Sequence, residues 1–199
     1  MFERTSHGQA YTSRALARLG DDGWVHLDDV AFPGRPRDLI DHIAVGPGCI
    51  AVIATVNWIG DVDIVGGRVL HNGRPSGSVE AVQAACGAVR RVLPPDLRPY
   101  VVAFISLVRD ASMERAASGL LVCSTASIAD ALANRPPLLS ERDVTQAAAV
   151  LWAELVAPHS DGGRVGGTAP VPTPAKARRS ARRRSSTGNW LRRDAPAPE

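Results

Sequence analysis

The chain has 199 residues, 45% of them apolar, and a formal net charge of +3, which suits one domain with a real core plus an extension. Apolar runs such as CIAVIA from Cys49 fall far short of the ~20 residues a bilayer span needs, and the start MFERTSHGQAYTSR has no apolar signal centre, so a cytoplasmic protein is expected. Cys49, Cys86 and Cys123 form no closely spaced pair and sit among apolar or small residues; this argues against zinc and predicts buried free thiols.

The first expected element is a helix over 9–19, with Leu16 and Leu19 on one side, stopped by Gly20-Asp21-Asp22-Gly23. A short strand follows over 24–27, then a polar connection rich in Pro and Gly over 28–37. Two central strands come next, 40–45 and 50–56, joined through Gly46-Pro47-Gly48. Residues 61–71 read as a hairpin turning at Gly66-Gly67, and Asn72-Gly73 marks a second turn. Ser78 is the expected N-cap of a helix over 79–93, with Val79, Val82, Ala85, Cys86 and Val89 on one face and Pro94-Pro95 ending it. Strands are expected at 100–107 and 119–123, with a short helix at 125–134. Ser140-Glu141-Arg142-Asp143 resembles a capping box for a last helix reaching Leu155.

After Val156 the apolar period disappears into Gly, Pro and Thr, so the domain is expected to span 1–157, with a linker and disordered tail at 158–199. Charge divides along the same line. From residue 173 onward stand Lys176, Arg178, Arg179, Arg182, Arg183, Arg184, Arg192 and Arg193 against Asp194 and Glu199, a net of +6 that leaves −3 for the rest. Lys176 is the only lysine, so none is available for catalysis within the folded part. A disordered basic run of this kind binds phosphate backbones through counterion release, and the expectation for Trp190 is to stack on an exposed base or to anchor into a partner groove. The other readings of the tail are a compositionally biased terminus and a contact with anionic membrane surface.

Residues 37–60, RDLIDHIAVGPGCIAVIATVNWIG, carry a resemblance. Ile40-Asp41-His42, Val45-Gly46-Pro47 and Asn57-Trp58-x-Gly60 resemble the motifs of the nuclease-related domain family, a branch of the PD-(D/E)xK nucleases. The likeness runs from about Gly8 to the last helix. It implies an α/β (α+β) fold with a restriction-endonuclease-like core, a central mixed sheet flanked by helices. It also implies phosphodiester hydrolysis with Mg²⁺ held by carboxylates on neighbouring strands, and a lysine two residues beyond the second acid to orient water.

This sequence departs from that chemistry. Asp41 stands at the first acid position, but the second acid is Ala54, the lysine is Val56, and the glutamate of the first helix is Gln9. The expectation is therefore a catalytically degenerate nuclease-related domain with no metal or other cofactor, binding DNA or RNA through its surface and basic tail. Two alternatives stand beside it. One is an Mg²⁺-dependent nuclease with a site displaced around Asp41, drawing on Asp38, Asp61, Asp63 and Arg68; the other is a protein-interaction or membrane-surface module. His42 alternates to the face opposite Asp41 and reads as packing or surface. Trp58 reads as a core residue sealing the sheet edge, and His26 and His71 receive no role. The oligomeric state stays open.

Overall fold

A computed structural model describes residues 6–109, 111–117 and 119–156. Helix α1 (Ser6–Ala17) leads through a short 3-10 turn (Gly20–Asp22) into a meander of β1 (Val25–Phe32), β2 (Arg35–Gly46) and β3 (Cys49–Val56). A small hairpin sheet follows: β4 (Val62–Val65), β5 (Arg68–His71) and β6 (Arg74–Pro75). Helix α2 (Gly77–Val92) crosses to β7 (Val101–Leu107), then come β8 (Glu114–Ala117), β9 (Leu120–Ser124), α3 (Ile128–Ala133) and α4 (Glu141–Leu155). The six-stranded sheet has the order β1-β2-β3-β7-β9-β8. It is antiparallel from β1 to β3, parallel through β3, β7 and β9, and antiparallel again at β8. The expected mixed sheet flanked by helices is thus the fold observed.

Strand alternation sorts the core into two clusters. Ile50 and Val52 of β3 lie in the cluster that holds Val82, Cys86 and Val89 of α2 and Val144, Ala147 and Leu151 of α4. Cys49, Ala51 and Ile53 lie in the other, with Leu16 of α1 and Ile128 and Leu132 of α3. β3 is buried on both faces because helices cover both sides, so it reads as an unbroken apolar run. The turn before it depends on Gly46: a Cβ there would fall 2.0 Å from the Trp24 ring, so only glycine lets the indole close over the strand end.

Several expectations change in detail. β1 does not stop at Leu27 but continues to Phe32, through residues expected to form a connection. Asp28 pairs across the ladder with His42, and Asp29 takes the left-handed conformation (φ 50) that aspartate tolerates, so two acids fit inside a strand. The cap of α2 is Ser76, whose hydroxyl accepts the Ser78 N–H; Ser78 itself is buried in the first turn. Strand β8 was not foreseen. The capping box at Ser140 is present, with Ser140 and Asp143 bonding each other's backbone N–H. The expected domain end at 157 and the whole tail lie outside the described residues. Among the described residues no helix is long and apolar enough to cross a membrane.

Candidate functional site

The motif residues converge where β2 and β3 stop pairing. Their ladder runs from the Gly46–Cys49 pair to His42–Ile53. Beyond that pair the Asp41 carboxylate takes over from the backbone. Its Oδ2 accepts the Thr55 N–H at 2.9 Å, and its Oδ1 accepts the side-chain amide of Gln9 at 3.0 Å. A carboxylate at neutral pH only accepts, so Gln9 must turn its NH₂ group toward it. Asp41 and Gln9, matched to the family's acid positions from separate parts of the chain, therefore do meet. Ala54 and Val56 come to the same strand end as partly buried apolar residues packed against the cluster beneath α2 and α4.

Between them, Thr55 faces the other way. Its hydroxyl donates to Thr12 Oγ1 at 2.9 Å and lies 3.1 Å from His42 Nε2. Thr12 meets Ser106 at 3.1 Å, while His42 Nδ1 donates to Asp28 Oδ1 at 2.7 Å. Ser13 donates to the other Asp28 oxygen at 2.6 Å, and His26 approaches it at 3.8 Å. Five elements, α1, β1, β2, β3 and β7, are stitched by this chain. His42, Thr12 and Ser106 are fully buried. Burial alone would raise the Asp28 pKa, but hydrogen bonds from His42 and Ser13 and the nearby histidine charges outweigh it, so the carboxyl titrates below its usual range. His42 does lie on the face expected for it, in a role the sequence reading did not assign. His26 also acquires a partner, through Asp28. The signal that could have exposed the network, an Asp and a His in adjacent strands, was present at Asp28 and His42.

The chain then leaves β3 in a tightly held turn. Arg109 donates through Nη2 to the Trp58 carbonyl at 3.1 Å and to the Gly60 carbonyl at 2.5 Å. The Ile59 carbonyl accepts from Asn72 Nδ2 at 3.1 Å and lies 2.9 Å from His71 Nε2. Asn72 Oδ1 in turn accepts the Asp61 N–H at 3.0 Å. Gly60 has φ 104, and a Cβ on it would strike that same Asn72 oxygen at 2.2 Å, which explains the glycine twice over. Trp58 packs partly buried against the core and stacks on His71, ring centroids 5.0 Å apart and 7° from parallel. His71 is thus part of the turn, where the sequence gave it no role.

The three thiols are buried, and burial pushes Cys49 and Cys123 up to about 12 and Cys86 up to about 11. At neutral pH they are unreactive thiols rather than ligands. Asp38 is exposed, 4.0 Å from Arg35, and Asp61 serves the turn through its backbone. The tail residues Lys176, Arg178, Arg179, Arg182, Arg183, Arg184, Trp190, Arg192 and Arg193 lie outside the described residues.

A family model described as nuclease-related domain matches residues 4–106, just over half of the chain. It covers α1 to β7 and so includes every motif residue above, but not the last helix to which the sequence likeness was extended. No curated protein and no solved structure matches the chain.

Proposed function

The chain belongs to the nuclease-related domain family, and from that premise we propose that it is a catalytically degenerate member that binds nucleic acid, with the basic tail supplying much of the attraction. The observation that carries the first half is the donor set at the end of β3. Mg²⁺ needs several oxygen ligands in octahedral array, commonly one or two carboxylates plus waters and phosphate oxygens. Here Gln9 presents N–H donors to Asp41, and Ala54 and Val56 present methyl groups. Among the described residues no three His, Cys, Asp or Glu side chains group as a metal cage. The residues present do not fit the cation.

The second half rests on charge. A +6 tail beside a remainder of −3 concentrates the attraction for phosphate in one segment. The test is binding of labelled DNA and RNA by the full chain across a salt series. Affinity should fall steeply and linearly in log–log form, and replacing the eight basic tail residues by glutamine should remove most of it. Binding that ignores salt, or survives the replacement undiminished, contradicts the reading.

A further inference from the structure

Asparagine stands at positions 57, 72, 134 and 189, and only Asn72 is followed by glycine. The other three precede tryptophan or arginine, whose side chains crowd the next backbone nitrogen. Asn72 and Gly73 are both exposed and form the two-residue loop between His71 and Arg74, with φ 50 and 74. Asn-Gly is the favoured pair for a loop of this kind. It is also the pair most open to ring closure, since glycine leaves its nitrogen free to reach the preceding side-chain amide.

In the fold that amide is engaged. Asn72 Nδ2 donates to the Ile59 carbonyl at 3.1 Å, and Oδ1 accepts the Asp61 N–H at 3.0 Å. The Asn72 N–H donates in return to the Asp61 carbonyl at 2.9 Å. One side chain thus latches the hairpin to the turn that leaves β3, while Arg109 holds that turn through the Trp58 and Gly60 carbonyls. We propose that Asn72 is a self-modification site whose deamidation releases the turn of residues 57–60. The Gly73 nitrogen, giving its proton to solvent base, bonds to Asn72 Cγ; the Cγ–Nδ2 bond breaks and ammonia leaves. Water then opens the succinimide at either carbonyl, to aspartate or to isoaspartate. Either product undoes the latch. An aspartate carboxylate only accepts hydrogen bonds, so its oxygen would face the Ile59 carbonyl with no proton between them. It also adds a negative charge beside Asp61. Isoaspartate lengthens the backbone of the loop, which the His71–Arg74 pairing cannot absorb. A side chain held at both ends must first leave its seat, so the reaction waits on local opening. It needs no partner and proceeds whatever the protein binds.

The experiment keeps the full chain in mildly alkaline buffer and follows its asparagines by peptide mapping that separates Asn, Asp and isoAsp forms. Asn72 should convert, faster as pH rises, while Asn57 and Asn134, which are also exposed, persist. The folded protein should convert about tenfold more slowly than the chain in urea, because the hydrogen bonds of the latch must open first. Gly60→Ala places its Cβ against Asn72 Oδ1 and should bring the rate near that in urea. Arg109→Gln loosens the other side of the turn and should give an intermediate rate, which keeps the test standing if Gly60→Ala fails to fold. Asn72→Asp, made genetically, should show amide hydrogen exchange at residues 58–61 about tenfold faster than wild type. No conversion at Asn72, or conversion of Asn57 and Asn134 at the same rate, overturns the site. Equal rates in wild type, the variants and urea overturn the latch, and unchanged exchange in Asn72→Asp overturns the release of the turn.

Discussion

The two faces of β3 have gone in opposite directions. On one, Ala54 and Val56 pack against the apolar cluster under α2 and α4. On the other, Thr55, one residue between them, joins a chain of hydrogen bonds through Thr12, His42, Asp28 and Ser106. By the sequence resemblance the first face is where a second acid and a lysine would stand, and it holds methyl groups. The second is polar, yet its groups are satisfied by one another: among the described residues the only buried side-chain nitrogen or oxygen without a partner is Arg135 Nε, elsewhere in the fold. The difference teaches which motif residues this chain keeps. Asp41 terminates a ladder, His42 anchors the buried chain, Trp58 stacks and Gly60 makes a turn no other residue fits. Each has a structural task. On the resemblance read from the sequence, the positions that differ, 9, 54 and 56, are those where the family's residues would serve metal and water.

If the polar face is structural, breaking it should cost the most. His42→Ala removes the fully buried link between Asp28 and Thr55, whose side chains keep Ser13 and Thr12 as hydrogen-bond partners, and leaves a cavity in its place. It should destabilise the protein by about 3 kcal/mol, the scale of a large-to-small change in a buried site plus lost hydrogen bonds. Urea unfolding checks this, and a loss under about 1 kcal/mol would mean the network holds little together.

The apolar face can be converted instead of broken. Restoring the family pattern with Gln9→Glu, Ala54→Glu and Val56→Lys together should cost about 2 kcal/mol, because the two strand positions are only partly buried at the open end of the sheet. The same protein should give binding heat with Mg²⁺ in calorimetry where wild type gives none. A restored protein that stays silent would show that the scaffold has drifted further than its three substitutions.

The smallest effect is in pH. Asp28 titrates lower in the folded than in the unfolded chain, so its contribution is complete above about pH 4 and fades as pH falls through the folded value. Asp28→Asn should therefore be less stable than wild type at neutral pH, and the gap should narrow in acid. Because Asp28 is about one-third exposed, the narrowing should be modest. A gap that widens in acid would reverse the sign and contradict the pairing with His42.

The core of this arrangement was legible in the sequence. Gly66-Gly67 and Asn72-Gly73 marked the hairpin turns, and all four residues take positive φ, while apolar runs marked β3 and β7. β8 was not, because ERAA is a short, mostly exposed edge strand with no alternation to betray it. β1 was cut short because Asp28 and Asp29 look like loop residues until His42 and Ser13 are placed beside them. At the site, Asp41, Gln9, Ala54 and Val56 were found by motif, but the buried chain was not. Thr12 and Ser106 are bland hydroxyls 94 positions apart, and only the fold brings them within 3.1 Å.

The most direct measurement follows labelled single- and double-stranded DNA in Mn²⁺ or Mg²⁺ with the purified full chain, reading retarded and cut species on the same gels. The account predicts DNA that is bound, released by salt and recovered at full length. Cutting that disappears in Asp41→Ala would contradict it, and would place a working metal site where the strand end now holds an amide and two methyl-bearing side chains.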